Sequence, residues 1–335
     1  MHKLWHSSKW LATIHQMNQF RQGFIVMLQS DKQTLQGIYP MLYAFWTAQG
    51  TLDQEAMTLQ VEYAISSGAD GIAVLGLVTE SHRMDGAERL ALTRMVGRIL
   101  AGRLPYSVTV AGHSMDEQIA FAHAAVAAGA DWLILQPPNH QKLSEDALID
   151  WFVTVGETIT CPLGIQNNPE HLINALSAEG LLRLSERMPS FTVLKGEGPV
   201  VGVEPLIART HSSLATFGGH GGIEHISLLQ AGAVGLIPAP DCLPLQVRIH
   251  RLWQNGDVES RRQAVAIQAE ILPLIVFMNR SLDGLLCYGR QFMARRLGLS
   301  ATFDRFGTQL PTVFGLQQID AFFAALAKSE ADWLS

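Results

Sequence analysis

The chain has 335 residues, 48% hydrophobic and 16% charged, which is ample for one large domain or two smaller ones. A formal net charge of −6, with no long basic run, argues against nucleic acid as a partner, so a substrate anion must be held by a local site. The cysteines Cys161, Cys242 and Cys287 stand far apart; this excludes a disulfide framework or a thiolate zinc site and fits a reducing cytoplasm, and no apolar run reaches the roughly 18 residues of a membrane span.

Residues 1–36 read as an appended segment whose one apolar patch, Phe24 to Leu28, is too short and too late for a signal peptide. From Gly37 onward, short apolar runs alternate with amphipathic helical stretches. The strand-like runs cover 37–45, 71–76, 106–112, 131–138, 161–169, 191–197, 214–219 and 234–240. Several intervening helices end in Gly-Ala, at Gly68, Gly129 and Gly232, the expected helix stop. The strands are continuously apolar, which marks strands buried on both faces of a parallel sheet. Eight such units predict a (β/α)8 TIM barrel over 37–257. A doubly wound sheet is the alternative, because strand count alone does not close a barrel. Helical stretches at Val258–Met278, Leu282–Leu297 and roughly Gly315–Ala327 predict a helical C-terminal appendage over 258–335.

Chemistry in such barrels sits at the C-terminal ends of the strands. There, "FTVLKGEGP" carries Lys195, the only lysine between Lys142 and Lys328. A lysine at a sheet rim can simply lay its stem along apolar surface. The other reading is a Schiff-base lysine. A free lysine titrates near 10.4, and an apolar barrel mouth disfavours the ammonium and frees the amine. The iminium it forms with a ketone is an electron sink for C–C cleavage or β-hydroxyl loss, with no metal or cofactor.

These residues resemble the dihydrodipicolinate synthase/N-acetylneuraminate lyase family of Schiff-base lyases over about 37–300. The family's Gly-Thr-Thr/Ser-Gly-Glu phrase falls on Gly76-Leu77-Val78-Thr79-Glu80, and its Tyr-Asn-x-Pro on Gln166-Asn167-Asn168-Pro169. Its lysine falls on Lys195, and its eighth-strand phrase on "AGAVGLIPA". The hydroxyl pair is replaced by Leu77 and Val78, and the proton-relaying tyrosine by Gln166. In these places, and in Lys195-Gly196-Glu197-Gly198-Pro199 and Pro137-Pro138-Asn139-His140, the chain is similar to the 2-keto-3-deoxy-L-arabonate dehydratases.

The expected catalytic residues are Lys195, Gln166 and Glu197. Strand alternation puts Glu197 on the face of Lys195, where it takes a C3 proton, tunes the lysine or pairs with an arginine at the rim. Gln166 orients water or a hydroxyl. Gly76, Thr79, Glu80, Asn167 and His140 are the expected substrate contacts, with turn amides at 76–79 suited to a carboxylate; Asn167 also reads as a loop-shaping residue, and His113 as a second histidine at the mouth. "GEGPVVG" misses the dinucleotide spacing, and "HGGIEH" misses the metalloprotease spacings and is broken by glycines. The expected activity is dehydration of a 2-keto-3-deoxy sugar acid, with pyruvate-forming aldol cleavage or binding without turnover as alternatives. No cofactor and no metal are expected. The resemblance implies a homotetramer or homodimer acting on a small 2-keto acid, with neither nucleic acid nor membrane as partner.

Overall fold

The computed structural model describes residues 35–307 and 309–334. The expected extension at 1–36 lies outside the described residues except for Leu35 and Gln36. All eight predicted strands form, each shorter than its apolar run: β1 (Gly37–Ile38), β2 (Ile72–Val74), β3 (Tyr106–Val110), β4 (Trp132–Leu135), β5 (Leu163–Asn167), β6 (Phe191–Gly196), β7 (Ala215–Gly218) and β8 (Gly235–Leu236). Neighbours pair in parallel from β2 through β8 and then to β1. The seam between β1 and β2 closes through one bridge, Met41 to Ala73. Leu42 N–H donates to Ala73 O and Ala73 N–H to Pro40 O. Pro40 has no N–H to give, so no longer ladder forms at this seam. The closed ring decides for the barrel over the doubly wound sheet.

Each strand is followed by one helix: α1 (Gln54–Ser66), α2 (Gly86–Leu100), α3 (Met115–Ala127), α4 (Glu145–Gly156), α5 (Ala178–Arg187), α6 (Val200–Thr210), α7 (His225–Gln230) and α8 (Leu243–Asn255). The first five begin at Asp53, Asp85, Ser114, Ser144 and Ser177, whose side chains accept a hydrogen bond from the first-turn backbone. Gly68, Gly129 and Gly232 lie at φ 78°, 100° and 98°, as helix-stop glycines do. The barrel floor is filled by Tyr39, Trp132 and Phe217, whose ring centroids lie 5.4–5.9 Å apart. A Cβ at Gly71 would collide with the Tyr39 ring, so the glycine makes room for the aromatic plug.

The C-terminal helices are α9 (Val258–Met278), α10 (Leu282–Leu297) and α11 (Val313–Leu334). The last outruns its expected end because Glu330 and Asp332 pair with Arg296 and Lys328, and Trp333 donates to Glu270. Among the described residues no single helix is long and apolar enough to cross a membrane. Through Arg290, α10 is fixed to the loop after β2: the guanidinium pairs with Glu80, which is fully buried and also holds Arg83 at 3.1 Å. Burial raises the Glu80 carboxyl above its ordinary value, and Arg290 and then Arg83 oppose that rise. Removing one partner of a buried pair leaves a charge uncompensated. Arg290→Ala is therefore expected to cost about 3 kcal/mol in urea unfolding, and Glu80→Gln/Arg290→Met much less; equal losses would contradict the pairing.

Candidate active site

Lys195 is the fifth residue of β6, and its register partners are Gln166 on β5 and Phe217 on β7. Alternation along the strand then carries Glu197 onto the same inward face. The observed distance from Lys195 Nζ to Glu197 Oε1 is 3.2 Å, and both side chains are buried. Glu197 also extends the sheet past the formal strand end, its N–H donating to Asn167 O at 3.0 Å.

The second Glu197 oxygen, Oε2, accepts from Gln166 Nε2 at 2.5 Å and Asn168 Nδ2 at 3.2 Å. Gln166 in turn accepts from Gln136 Nε2 at 2.7 Å. One oxygen is thus committed to two amides, and the other faces the amine. Burial by itself raises the Glu197 carboxyl. The Lys195 charge, the Gln166 bond and His220 outweigh it and hold the group below the usual carboxylate value. A Cβ on Gly219, at the end of β7, would collide with this carboxylate; the site needs glycine there.

Several expected substrate contacts commit their polar groups to the fold. Thr79 Oγ donates to Leu42 O at 2.7 Å and accepts from Leu75 N at 3.0 Å. Its hydroxyl braces the turn after β2, where Leu75 and Glu80 adopt left-handed backbone at φ 66° and 60°. Gly76 sits at the mouth, its N–H against Met41 Sδ. In that turn the N–H groups of Thr79 and Glu80 close onto Gly76 O and Leu77 O, while those of Leu77 and Val78 have no partner among the described residues. Glu80 is held by arginines, as above. Asn167 clamps Leu176, donating to its carbonyl and accepting from its N–H at 3.0 and 2.8 Å, so it shapes the loop. His140 lies exposed beside His113, ring centroids 5.9 Å apart.

Sequence reasoning assigned no role to Asn168, Gln136, Gly219 or His220. Alternation could have found Asn168, two residues beyond Gln166, by the same step that joined Glu197 to Lys195. Gln136, a polar residue just past an apolar strand, carried the signal that drew attention to Lys195. Gly219 and His220 gave no local signal, because their places depend on the neighbouring strand.

A family model for the dihydrodipicolinate synthetase family matches residues 34–284. The chain is 28% identical over 264 residues to a protein of Escherichia coli named "Probable 2-dehydro-3-deoxy-D-pentonate aldolase YjhH", covering 76% of this chain and 86% of that one. It is 27% identical over 263 residues to the L-2-keto-3-deoxyarabonate dehydratase of Azospirillum brasilense, covering 76% and 83%. The sialic acid aldolase of Ruminococcus gnavus superposes with a TM-score of 0.81 at 18% identity, over 89% of this chain and 99% of that one, a likeness of fold. With the match spanning all eight strands and Lys195, the chain belongs to the dihydrodipicolinate synthetase family of lyases.

Proposed function

We propose that the protein dehydrates a 2-keto-3-deoxy sugar acid through a Schiff base on Lys195. The observation that carries this reading is the Lys195–Glu197 pair at 3.2 Å, with an amide at position 166 bound to the same carboxylate. Glu197 Oε1 takes the ammonium proton, and the freed amine attacks the C2 ketone. The C2 oxygen takes one proton from the attacking nitrogen and the other back from Glu197, leaves as water and gives the iminium. Glu197 then removes a C3 proton to form the enamine. It passes that proton to the C4 hydroxyl, which departs as water while the enamine electrons form the C3–C4 double bond. Hydrolysis of the conjugated iminium restores the lysine and releases the enone; for a pentonate, moving a C5 proton to C3 gives an enol that ketonises to the keto-semialdehyde. One carboxyl group thus serves alternately as base and acid, steadied by Gln166 and Asn168. The N–H groups of Leu77 and Val78 are the donors for the substrate carboxylate, and the two apolar side chains supply no hydroxyl. The working form is a homo-oligomer in the cytoplasm.

Aldol cleavage from the same iminium, with the C3–C4 electrons flowing into C2=N to leave the pyruvate enamine, is the second reading, favoured by the name of the Escherichia coli relative. It requires a base on the C4 hydroxyl, the task for which the family's tyrosine is suited. Gln166 cannot accept that proton. Incubation with 2-keto-3-deoxy pentonates and hexonates separates the two readings by product. Dehydration keeps every carbon and turns a pentonate into a keto-semialdehyde. Pyruvate with a shorter aldehyde as main products would favour cleavage, and a lysine adduct without turnover would favour binding alone.

Borohydride added with pyruvate is expected to trap an adduct on Lys195, mapped by peptide mass, and Lys195→Ala to abolish it. An adduct on another lysine would overturn the mechanism. Glu197→Gln is expected to slow turnover by about 10²–10⁴-fold, the usual range for a general acid–base group. Gly219→Ala is expected to slow it through displacement of Glu197 and to lower thermal stability modestly, because the obstructing Oε1, Cγ and Cδ belong to a buried side chain held by Lys195, Gln166 and Asn168. Unchanged turnover in Gly219→Ala would show that the position of Glu197 does not limit the reaction.

A further inference from the structure

Beside the Lys195 centre, two loops of the barrel mouth bring together three side chains of metal-ligand type. Glu170 and His171 lie in the turn after β5, and His220 lies in the turn after β7. One ligand atom from each lies within 4.8 Å of the other two. The two imidazole centroids are 5.7 Å apart. His220 Nε2 is buried with no hydrogen-bond partner, an unusual state for a ring nitrogen of such polarity. The His220 backbone is held at φ 51°, a conformation that side chains with a Cβ disfavour. Among the described residues, neither the Glu170 carboxylate nor the His171 ring is engaged in a hydrogen bond or ion pair.

The turn that carries two of the ligands is pinned from below. Asn168 Oδ1 accepts from His171 N–H at 3.1 Å, while its Nδ2 holds Glu197. Glu170 and His220 also line a cavity of about 150 Å³ that extends over Gly196 and Gly219. That is room for an ion with its water ligands.

We infer that Glu170, His171 and His220 form a site for a divalent transition metal of the zinc, cobalt or nickel type. Two imidazoles and one carboxylate suit these ions, whereas magnesium and calcium require oxygen ligands. Bonds of about 2.0–2.2 Å place tetrahedral ligand pairs roughly 3.4 Å apart. The three groups must therefore draw together by little more than an ångström, which the exposed Glu170 and His171 achieve by side-chain rotation. Three protein ligands leave at least one position for water or an anionic oxygen. The metal carries no step of the proposed dehydration, and its binding does not rest on that reading. The local spacing of "HGGIEH" makes no metal motif; His220 finds its partners on another loop, 49 residues away from His171 in the chain.

The test uses the full chain without an affinity tag, stripped of metal, and titrated with cobalt(II) by visible absorption and with zinc by calorimetry. One equivalent per chain is expected. His171→Ala and His220→Ala are each expected to weaken binding at least tenfold, Glu170→Gln less, and excess magnesium is expected not to compete. His171 is exposed, so its variant keeps the test readable if His220→Ala fails to fold. Absence of binding by the wild-type chain, or binding unchanged by His171→Ala, would overturn the site. Because metal binding is read without substrate, failure here is distinct from failure of the Schiff-base chemistry.

Discussion

The organisation of the mouth depends on how Glu197 is held. It is a buried carboxylate with a lysine on one oxygen and two amides on the other. Such an arrangement is a poor source of stability. Dehydrating two charges costs several kcal/mol for each ion, and apolar residues of similar volume often replace a buried pair at no loss. Lys195 is the only charged residue within the eight strands, and a buried ion pair at such a place speaks for chemistry more than for folding. The support is correspondingly dense. Glu197 is anchored through its backbone to Asn167, Asn167 clamps the loop at Leu176, and Gly219 leaves the space the carboxylate fills. With every other route blocked, Oε1 has the amine as its neighbour.

A second buried carboxylate, Glu80, does a structural task. The seam between β1 and β2 is the weakest join in the barrel, closed by one bridge beside Pro40. The C-terminal helices reinforce that side. Arg290 of α10 binds Glu80 in the loop after β2. Tyr43, just past β1, donates to Asp241 after β8 at 3.0 Å, and burial pushes that Asp241 carboxyl up to about 7. Gly289 on α10 admits the Tyr43 hydroxyl where a Cβ would collide with it. The appendage thus braces the turn that carries the amides of Leu77 and Val78, unpartnered among the described residues. The two buried carboxylates differ in their partners: arginines that cannot give up a proton at Glu80, and a lysine that can at Glu197.

Membership of the family leaves open which bond breaks, and the departures from its pattern bear on that question. Hydroxyl groups are absent at positions 77, 78 and 166, and the titratable side chain beside Lys195 is a carboxylate held by amides. The pattern of Gln136 donating to Gln166, and Gln166 to Glu197, is a chain of fixed dipoles directed at one anion. It orients and does not titrate. The amine of Lys195 thus meets a single carboxylate whose orientation is fixed by amides.

The sequence by itself determined the eight strands, the helix stops and the lysine, because each leaves a local signature, whereas the closed ring over the doubly wound sheet was decided by the β1–β2 seam. Strands buried on both faces read as unbroken apolar runs, glycines appear where helices must end, and a charged residue at the tip of such a run has no bland partner nearby in the chain. Period-two alternation was enough to join Lys195 to Glu197. It did not reveal that Thr79 and Asn167 turn their polar groups toward the backbone, since hydrogen-bond choice depends on what the fold brings within 3 Å. Nor did it reveal the pairing of Glu80 with Arg290, which lies 210 residues away in the chain. Gly219 and His220 became legible only once β7 lay beside β6. Contacts between strand ends are set by the closure of the barrel, and closure brings together residues that share no periodicity along the chain.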